Sequence, residues 1–312
     1  MVSIIMCMYQ EPIHYIQKSL QSVLQQTYKD IEVIIIIDDP NNVKLIDYIK
    51  SVALANDRIR YYVNEKNMGL TASLNRAKSY VNGKYVARMD ADDICMQDRI
   101  ECQLKYLVDN DLDIVGCNVQ DMDEDGNYKG MDISSFPTKD DTIKEYLKTN
   151  SAIPHPTWFL KREIYEQYDY IDFPACEDYE FLTRLAINGM KMGNLKNPKL
   201  YYRINSHGIS HSKKVMQKTS LFFVKNNYRK KKISNLDEFY VFVKSKKGIT
   251  KRKNLENYYN KTQVLKEYKK QKKWIKFILN GIWLFIYSPE GRSVVQNYLR
   301  EKILLARFED NC

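Results

Sequence analysis

Two hydrophobic rhythms alternate along the first part of the chain. Short, nearly unbroken apolar runs are each followed by a stretch in which apolar residues return every three or four positions, the pattern of strand then helix in a largely parallel sheet. Val2 to Met8 is the first strand, and Ile16, Leu20, Val23 and Leu24 mark the apolar face of a helix over Ile13 to Gln26. Glu32 to Ile37 predicts a second strand, Asn42 to Ala55 a helix, Arg58 to Val63 a strand, Leu70 to Val81 a helix and Lys84 to Met89 a fourth strand. A helix around Asp98 to Val108 and a strand over Asp113 to Val119 follow. The implied class is α/β, a mostly parallel sheet flanked by helices.

Two of these strands run directly into carboxylates. The second ends at Asp38 and Asp39; the fourth ends at Asp90, Asp92 and Asp93. In open α/β sheets ligands bind beyond the carboxyl ends of the strands, at a topological switch point. Carboxylates as close as Asp90, Asp92 and Asp93 repel one another in a desolvated cleft. A divalent hard cation removes that repulsion and leaves coordination positions for phosphate oxygens; an acidic turn after an edge strand is the plainer alternative. Asp38 and Asp39 can accept hydrogen bonds from a base or ribose. Neither GxGxxG nor GxxxxGK[ST] occurs, which argues against a dinucleotide oxidoreductase and a P-loop NTPase.

Composition adds a division. The 312 residues are 44% apolar and 28% charged, with a net charge of +10. Residues 1 to 212 carry 24 Lys and Arg against 31 Asp and Glu, whereas 213 to 312 carry 25 against 8. An acidic chemical unit over 1–212 and a basic, mainly helical extension over 213–312 are expected. The six cysteines are scattered, without metal-site spacing, and read as reduced thiols of a cytosolic protein. VSIIMCM at the start lacks the pattern of a signal peptide, so secretion is not expected.

The ordered segments VSIIMCMYQEP, LQQTYKDIEVIIIIDD, NMGLTASLNRA, YVARMDADD, HPTWFL and EDYEFLTRL together resemble the family 2 inverting glycosyltransferases, over roughly residues 1 to 212. The resemblance implies the Rossmann-like GT-A fold, a nucleotide-diphosphate sugar as donor and Mn2+ or Mg2+ as cofactor. Carried onto this chain, it gives Asp38, in preference to Asp39, the nucleobase, and Tyr9 and Glu11 the first nucleotide-contacting loop, with Cys7 where proline or threonine is more usual. Asn67 and Gly69 help enclose the nucleotide, Arg88 approaches the diphosphate, Asp90 lies near ribose or metal, and Asp92 contacts the metal directly. Asp93 supports the following turn. Asp178 in CEDYEF is the general base that takes the proton from the attacking hydroxyl; Glu177 and Asp178 are also ordinary residues for a helix start. His155 supports the acceptor site or contacts the acceptor. Arg203 and His207 fall where related enzymes carry a loop over the diphosphate, and His207 could contact metal or phosphate. Trp158 either stacks on an acceptor sugar or fills the core, the latter being preferred.

Past residue 213, basic clusters precede WIKFILNGIWLFIY at 274–287, which is too short and too interrupted to span a bilayer. Trp and Phe beside lysines fit binding at an anionic membrane surface; helices packed on the catalytic unit with a solvated basic face are the alternative. The combined expectation is transfer of one sugar to a saccharide acceptor linked to a lipid diphosphate, in bacterial surface polysaccharide synthesis, at the inner face of the cell membrane. Two other classes are weighed: a nucleic-acid-binding protein using the basic tail, and a non-catalytic nucleotide-sugar-binding protein. The acidic N-terminal carboxylates would repel nucleic acid without metal, so no nucleic acid partner is expected. No sustained heptad indicates an oligomer.

Overall fold

A computed structural model describes residues 1–128, 130–204 and 211–309. In chain order the elements are β1 (Val2–Met8), α1 (Ile13–Leu24), β2 (Ile31–Ile37), α2 (Val43–Ala55), β3 (Ile59–Val63), α3 (Leu70–Ala77), β4 (Tyr85–Asp90), β5 (Ile94–Cys95), α4 (Arg99–Asp109), β6 (Ile114–Met122), β7 (Ile133–Ser134), α5 (Asp140–Tyr146), β8 (Phe159–Lys161), α6 (Arg162–Gln167), α7 (Glu177–Ile187) and β9 (Met192–Arg203). The rest is helical: α8 (His211–Arg229), α9 (Leu236–Lys244), α10 (Lys246–Lys270), α11 (Trp274–Ile282), a π-helical turn over Trp283–Tyr287, and α12 (Pro289–Glu309). The chain divides into two compact units. One contains Met1–Lys144, Ser151–Ile171 and Asn188–His207, the other Glu145–Asn150, Asp172–Ile187 and Gly208–Cys312.

The first unit is built on one sheet in the order β3-β2-β1-β4-β8-β6-β9-β5, with β7 paired to β6. The strands β3, β2, β1 and β4 are mutually parallel, as the alternation of apolar runs and helical stretches predicts. Every residue of Ile31–Ile37 is buried, because helices cover both faces of a parallel sheet and polar alternation would bury unpaired groups. β8 enters antiparallel to both β4 and β6. Gly116 on β6 is a required close approach: a Cβ there would collide with the side chains of Ile153, Asn194 and Thr157. Trp158 is wholly buried, and its indole N–H donates to the Ile153 carbonyl at 3.1 Å, so it fills this core.

The second unit packs aromatic residues. Phe173 ahead of α7 meets Phe239 of α9 at a ring separation of 5.6 Å, and Phe223 of α8 meets Phe239 at 5.5 Å. No helix among the described residues is long and apolar enough to cross a membrane.

Candidate active site

Parallel pairing brings four loops of the first unit to one end of its sheet. The register sets Cys7 of β1 opposite Ile36 on one side and Asp90 on the other, so the chain after β2 and the carboxylates after β4 flank the end of β1. The Asp38 N–H donates to the Met8 carbonyl at 2.7 Å, and the Asn64 N–H, just past β3, to the Ile37 carbonyl at 2.8 Å. A cavity of about 300 Å³ opens there, lined by Tyr9, Glu11, Asp38, Asn67, Gly69 and Asp90 among others. A neighbouring cavity of about 500 Å³ shares Tyr9 and Asn67 and adds Asp39, Pro40 and Lys66.

The two carboxylates after β2 face different surroundings. Asp38 is buried and accepts from the N–H groups of Met68 and Gly69, both at 2.8 Å, and from Asn64 Nδ2 at 2.6 Å. Its carboxylate is thus occupied in shaping the loop over residues 67–69, where Gly69 has a φ of +83° suited to glycine. Asp39 is less enclosed, accepting from Gln10 Nε2 at 3.1 Å and the Asn41 N–H at 3.0 Å. Behind Asp38, Asn64 also donates to Ser73 Oγ at 2.8 Å, and Arg76 donates to Asn64 Oδ1 and to the Val63 carbonyl. Asn64, Ser73 and Arg76 escape a reading by hydrophobic period, because a polar relay in a loop and on one helix turn leaves no periodic trace. A polar residue directly after the strand Ile59–Val63 is the local signal.

The turn after β4 is braced from several sides. Ser19 Oγ of α1 donates to the Asp90 carbonyl at 2.9 Å, and Ser22 Oγ accepts from the Cys95 N–H at 3.0 Å. Gln26 donates to the Met96 carbonyl at 2.8 Å. Ser19 and Ser22 lie on the buried face of α1, spending part of an otherwise apolar stripe on the turn, and Gln26 follows just past its end. β5 then ties the far side to β9. Asp93 is buried, and its Oδ1 accepts from the Arg203 N–H at 2.9 Å. Arg203 itself is committed: its guanidinium donates to the carbonyls of Asp92 at 2.8 Å, Asp123 at 3.1 Å and Glu124 at 2.6 Å, and lies over the Tyr15 ring.

Electrostatically the turn is short of positive charge. Carboxylate oxygens of Asp90, Asp92 and Asp93 all lie within 4.8 Å of one another. Burial and then the Asp90 charge push the Asp92 carboxyl up to about 6. Burial followed by Asp90 and Asp92 raises Asp93 well above the ordinary range, and its Oδ2 has no hydrogen-bond partner. This oxygen-only donor set fits a hard divalent cation such as Mg2+ or Mn2+, and its crowding is the repulsion such an ion removes. Arg88 is buried and pairs with Asp90 at 2.5 Å; its Nε and Nη1 have no acceptor.

His155 is buried in a 3-10 turn, with its Nε2 3.0 Å from the Tyr170 hydroxyl. Burial, and then Arg88, hold its imidazole well below the ordinary range, so it is neutral at physiological pH. Glu11 accepts from the Tyr9 N–H at 2.8 Å, and burial raises its carboxyl. In the second unit, Glu177 and Asp178 open α7 after Ala175, and the Tyr179 N–H lies 2.6 Å from Asp178 Oδ1. His207 lies outside the described residues.

The model of glycosyl transferase family 2 matches residues 3–169. An uncharacterized glycosyltransferase of Methanocaldococcus jannaschii is 34% identical over 236 residues, covering 74% of this chain and 81% of its own. The O-antigen biosynthesis glycosyltransferase WbnJ of Escherichia coli is 28% identical over 249 residues, covering 78% and 96%. Among solved structures, S. aureus TarS 1-349 in complex with UDP-GlcNAc superposes with a TM-score of 0.58 at 17% identity, over 94% of this chain and 82% of that one. The α/β sheet with its helical C-terminal part is that fold. The chain belongs to glycosyl transferase family 2.

Proposed function

We propose that the chain is a metal-dependent, inverting glycosyltransferase that moves a sugar from a nucleoside-diphosphate donor to a hydroxyl of a saccharide carried on a lipid diphosphate, in surface polysaccharide assembly. The observation that carries the reading is the meeting of the Tyr9, Asp38, Asn67 and Asp90 loops around one cavity beside a crowded carboxylate turn. The relative from O-antigen biosynthesis and the neighbour holding UDP-GlcNAc support the pathway and the donor class.

In this reading Asp39, with its carboxylate at the outer cavity, meets the nucleobase, and Asp38 holds the loop that encloses it. That reverses the preference drawn from the sequence, because Asp38 is already occupied by its own chain's donors. Tyr9, Glu11 and Asn67 line the nucleotide. Asp92 and Asp90 would hold Mn2+ or Mg2+, which when bound sets positive charge against the departing diphosphate. Arg88 fixes the Asp90 carboxylate, and Asp93 fixes the turn. Asp178 accepts the proton of the acceptor hydroxyl as it attacks, with Glu177 beside it. His155, neutral and buried, supports rather than exchanges protons. The deciding experiment is a panel of nucleotide sugars assayed for manganese-dependent release of nucleoside diphosphate; no release with any donor would overturn the reading.

Asn64 provides a sharper check on the donor loop. Asn64→Ala strips one donor from Asp38 and leaves Arg76 and Ser73 without their shared partner. The KM for the sugar nucleotide is expected to rise roughly tenfold, about 1.4 kcal/mol, while kcat moves less. Equal effects on both would place Asn64 in the chemistry instead.

We also assign the enzyme a peripheral position at the cytoplasmic membrane face. Trp274, Ile275, Ile278 and Leu279 on α11 are all more than half exposed, at 52%, 77%, 55% and 62%, beside Lys272, Lys273 and Lys276. Such a face gains by entering an anionic lipid interface. Removing 213–312 would also remove the partners of Phe173, so point changes are preferable. Trp274→Glu with Ile278→Glu is expected to cut sedimentation with anionic liposomes several-fold, and unchanged partition would exclude α11 as the contact.

A further inference from the structure

Two separate stretches of chain grip the short helix α3. One is the loop shaped by Asp38: the Gly69 N–H donates to Asp38 at 2.8 Å, Ser73 Oγ accepts from Asn64 at 2.8 Å, and Arg76 donates to the Val63 carbonyl at 2.9 Å. The other is the segment 165–170. Asn75 Oδ1 accepts from the Tyr170 N–H at 2.8 Å while Asn75 Nδ2 donates to the Tyr170 carbonyl at 2.9 Å, so one side chain engages both backbone groups as a neighbouring strand would. Lys78, just past the helix, donates to the Tyr168 carbonyl at 2.6 Å and pairs with Asp169 at 2.7 Å, and the Tyr165 hydroxyl donates to the Leu74 carbonyl.

Tyr170 extends this grip to the turn of His155. Its hydroxyl lies 3.0 Å from His155 Nε2, and its ring is near-parallel to that of Trp158 at a separation of 6.0 Å. Tyr165 and Tyr170 are only 2% and 5% exposed, so the segment cannot leave α3 without uncovering both rings. Asparagine is an unfavourable residue inside a helix, yet here both ends of its amide serve a residue 95 positions away. Freeing Tyr170 strips α3 of that support, and loosening α3 takes Ser73 and Gly69 from the Asn64 and Asp38 side chains. Proteins open locally in such cooperative units. A ligand that binds only the formed loop therefore suppresses every opening that breaks it, at whatever distance.

We propose that Asn75 is a positioning residue that joins the 67–69 loop and the segment 165–170 into one cooperative unit, so that a nucleoside diphosphate bound at the loop also firms the turn of His155. The inference rests on the assignment of that loop to the donor. Coupling of this kind is reciprocal, so whatever fixes the segment 165–170 also tightens the nucleotide.

The test is hydrogen exchange of the full chain with Mn2+, in the absence and presence of excess UDP or GDP. A nucleotide that slows exchange at 64–70 should slow it at 165–171 as well, by about tenfold or more. In Asn75→Ala the slowing at 64–70 should persist and that at 165–171 should largely vanish. A merely structural Asn75 would instead raise exchange equally with and without nucleotide. Lys78→Met, which removes a different tie to the same segment, should reduce the slowing at 165–171 less, and it carries the test should Asn75→Ala fail to fold. If neither nucleotide slows 64–70, the donor assignment falls and this inference with it. Slowing at 64–70 with none at 165–171 in the wild type would overturn this inference alone. So would undiminished slowing at 165–171 in folded Asn75→Ala, or loss of slowing at both places, which would put Asn75 in the nucleotide site itself.

Discussion

Asp178→Asn is expected to abolish sugar transfer while leaving the affinity for nucleoside diphosphate within a few-fold. Asparagine matches aspartate in size and keeps an oxygen that can accept from the Tyr179 N–H, so the start of α7 is preserved. What it lacks is the ability to take a proton. Positioned general bases contribute roughly 10²–10⁴ in rate, or about 3–5 kcal/mol at the barrier. Glu177→Gln should cost far less. Ordinary turnover in Asp178→Asn would remove it as the base, and an equal collapse in Glu177→Gln would move the role one residue earlier.

Asp92→Ala is expected to remove metal-dependent donor binding, with apparent affinity for Mn2+ falling by more than tenfold in a titration followed by nucleotide binding. The folded turn should survive, because Arg203 bonds the backbone carbonyl at Asp92 rather than its side chain. The cation-free protein gives an independent readout. The Asp92 carboxyl is held above its ordinary value of 3.8, at about 6, by burial and Asp90. Its contribution to stability is therefore complete below pH 3.8 and is lost as pH rises through 6. In chelator, the wild type should melt lower at pH 8 than at pH 5 by more than Asp92→Ala does. An unchanged manganese titration would contradict the assignment, and identical pH slopes would show that repulsion within the turn is not what sets them.

The parallel half of the sheet could be read from the sequence because burial on both faces leaves an unmistakable apolar run. Glu32 to Ile37 differs from the observed strand by one residue. The helix expected over Leu70 to Val81 stops at Ala77 and tightens into a 3-10 turn over Lys78–Tyr80. The strand expected to end at Val119 runs on to Met122, where β7 pairs with its far part. β9 gives little warning in the sequence: Lys196, Asn197 and Pro198 interrupt it, and its pairing with β6 shifts register between Cys117 and Val119. β5 is two residues long, below the length at which periodicity has meaning.

The site divides in the same way. Carboxylates at strand ends announce themselves, because their position follows from the strands. Which oxygen is already engaged does not, as Asp38 and Asp39 illustrate: they are adjacent in sequence, yet only Asp38 receives the amides of Met68 and Gly69. Arg88 likewise gives no sign in the sequence that one of its nitrogens is paired with Asp90 while Nε and Nη1 have no acceptor.

The bracing of the carboxylate turn by Ser19, Ser22 and Gln26, and by β9 through Asp93, has a bearing on how the protein matures. Ligands fixed in advance owe nothing to the ion they receive, so the ordering entropy is spent at folding and not again at loading. If the proposed cation is what activates the enzyme, manufacture and activation become separate events. On the proposed metal dependence, a chain made in a cell starved of divalent cation would emerge folded and idle, ready to start work once the ion returned.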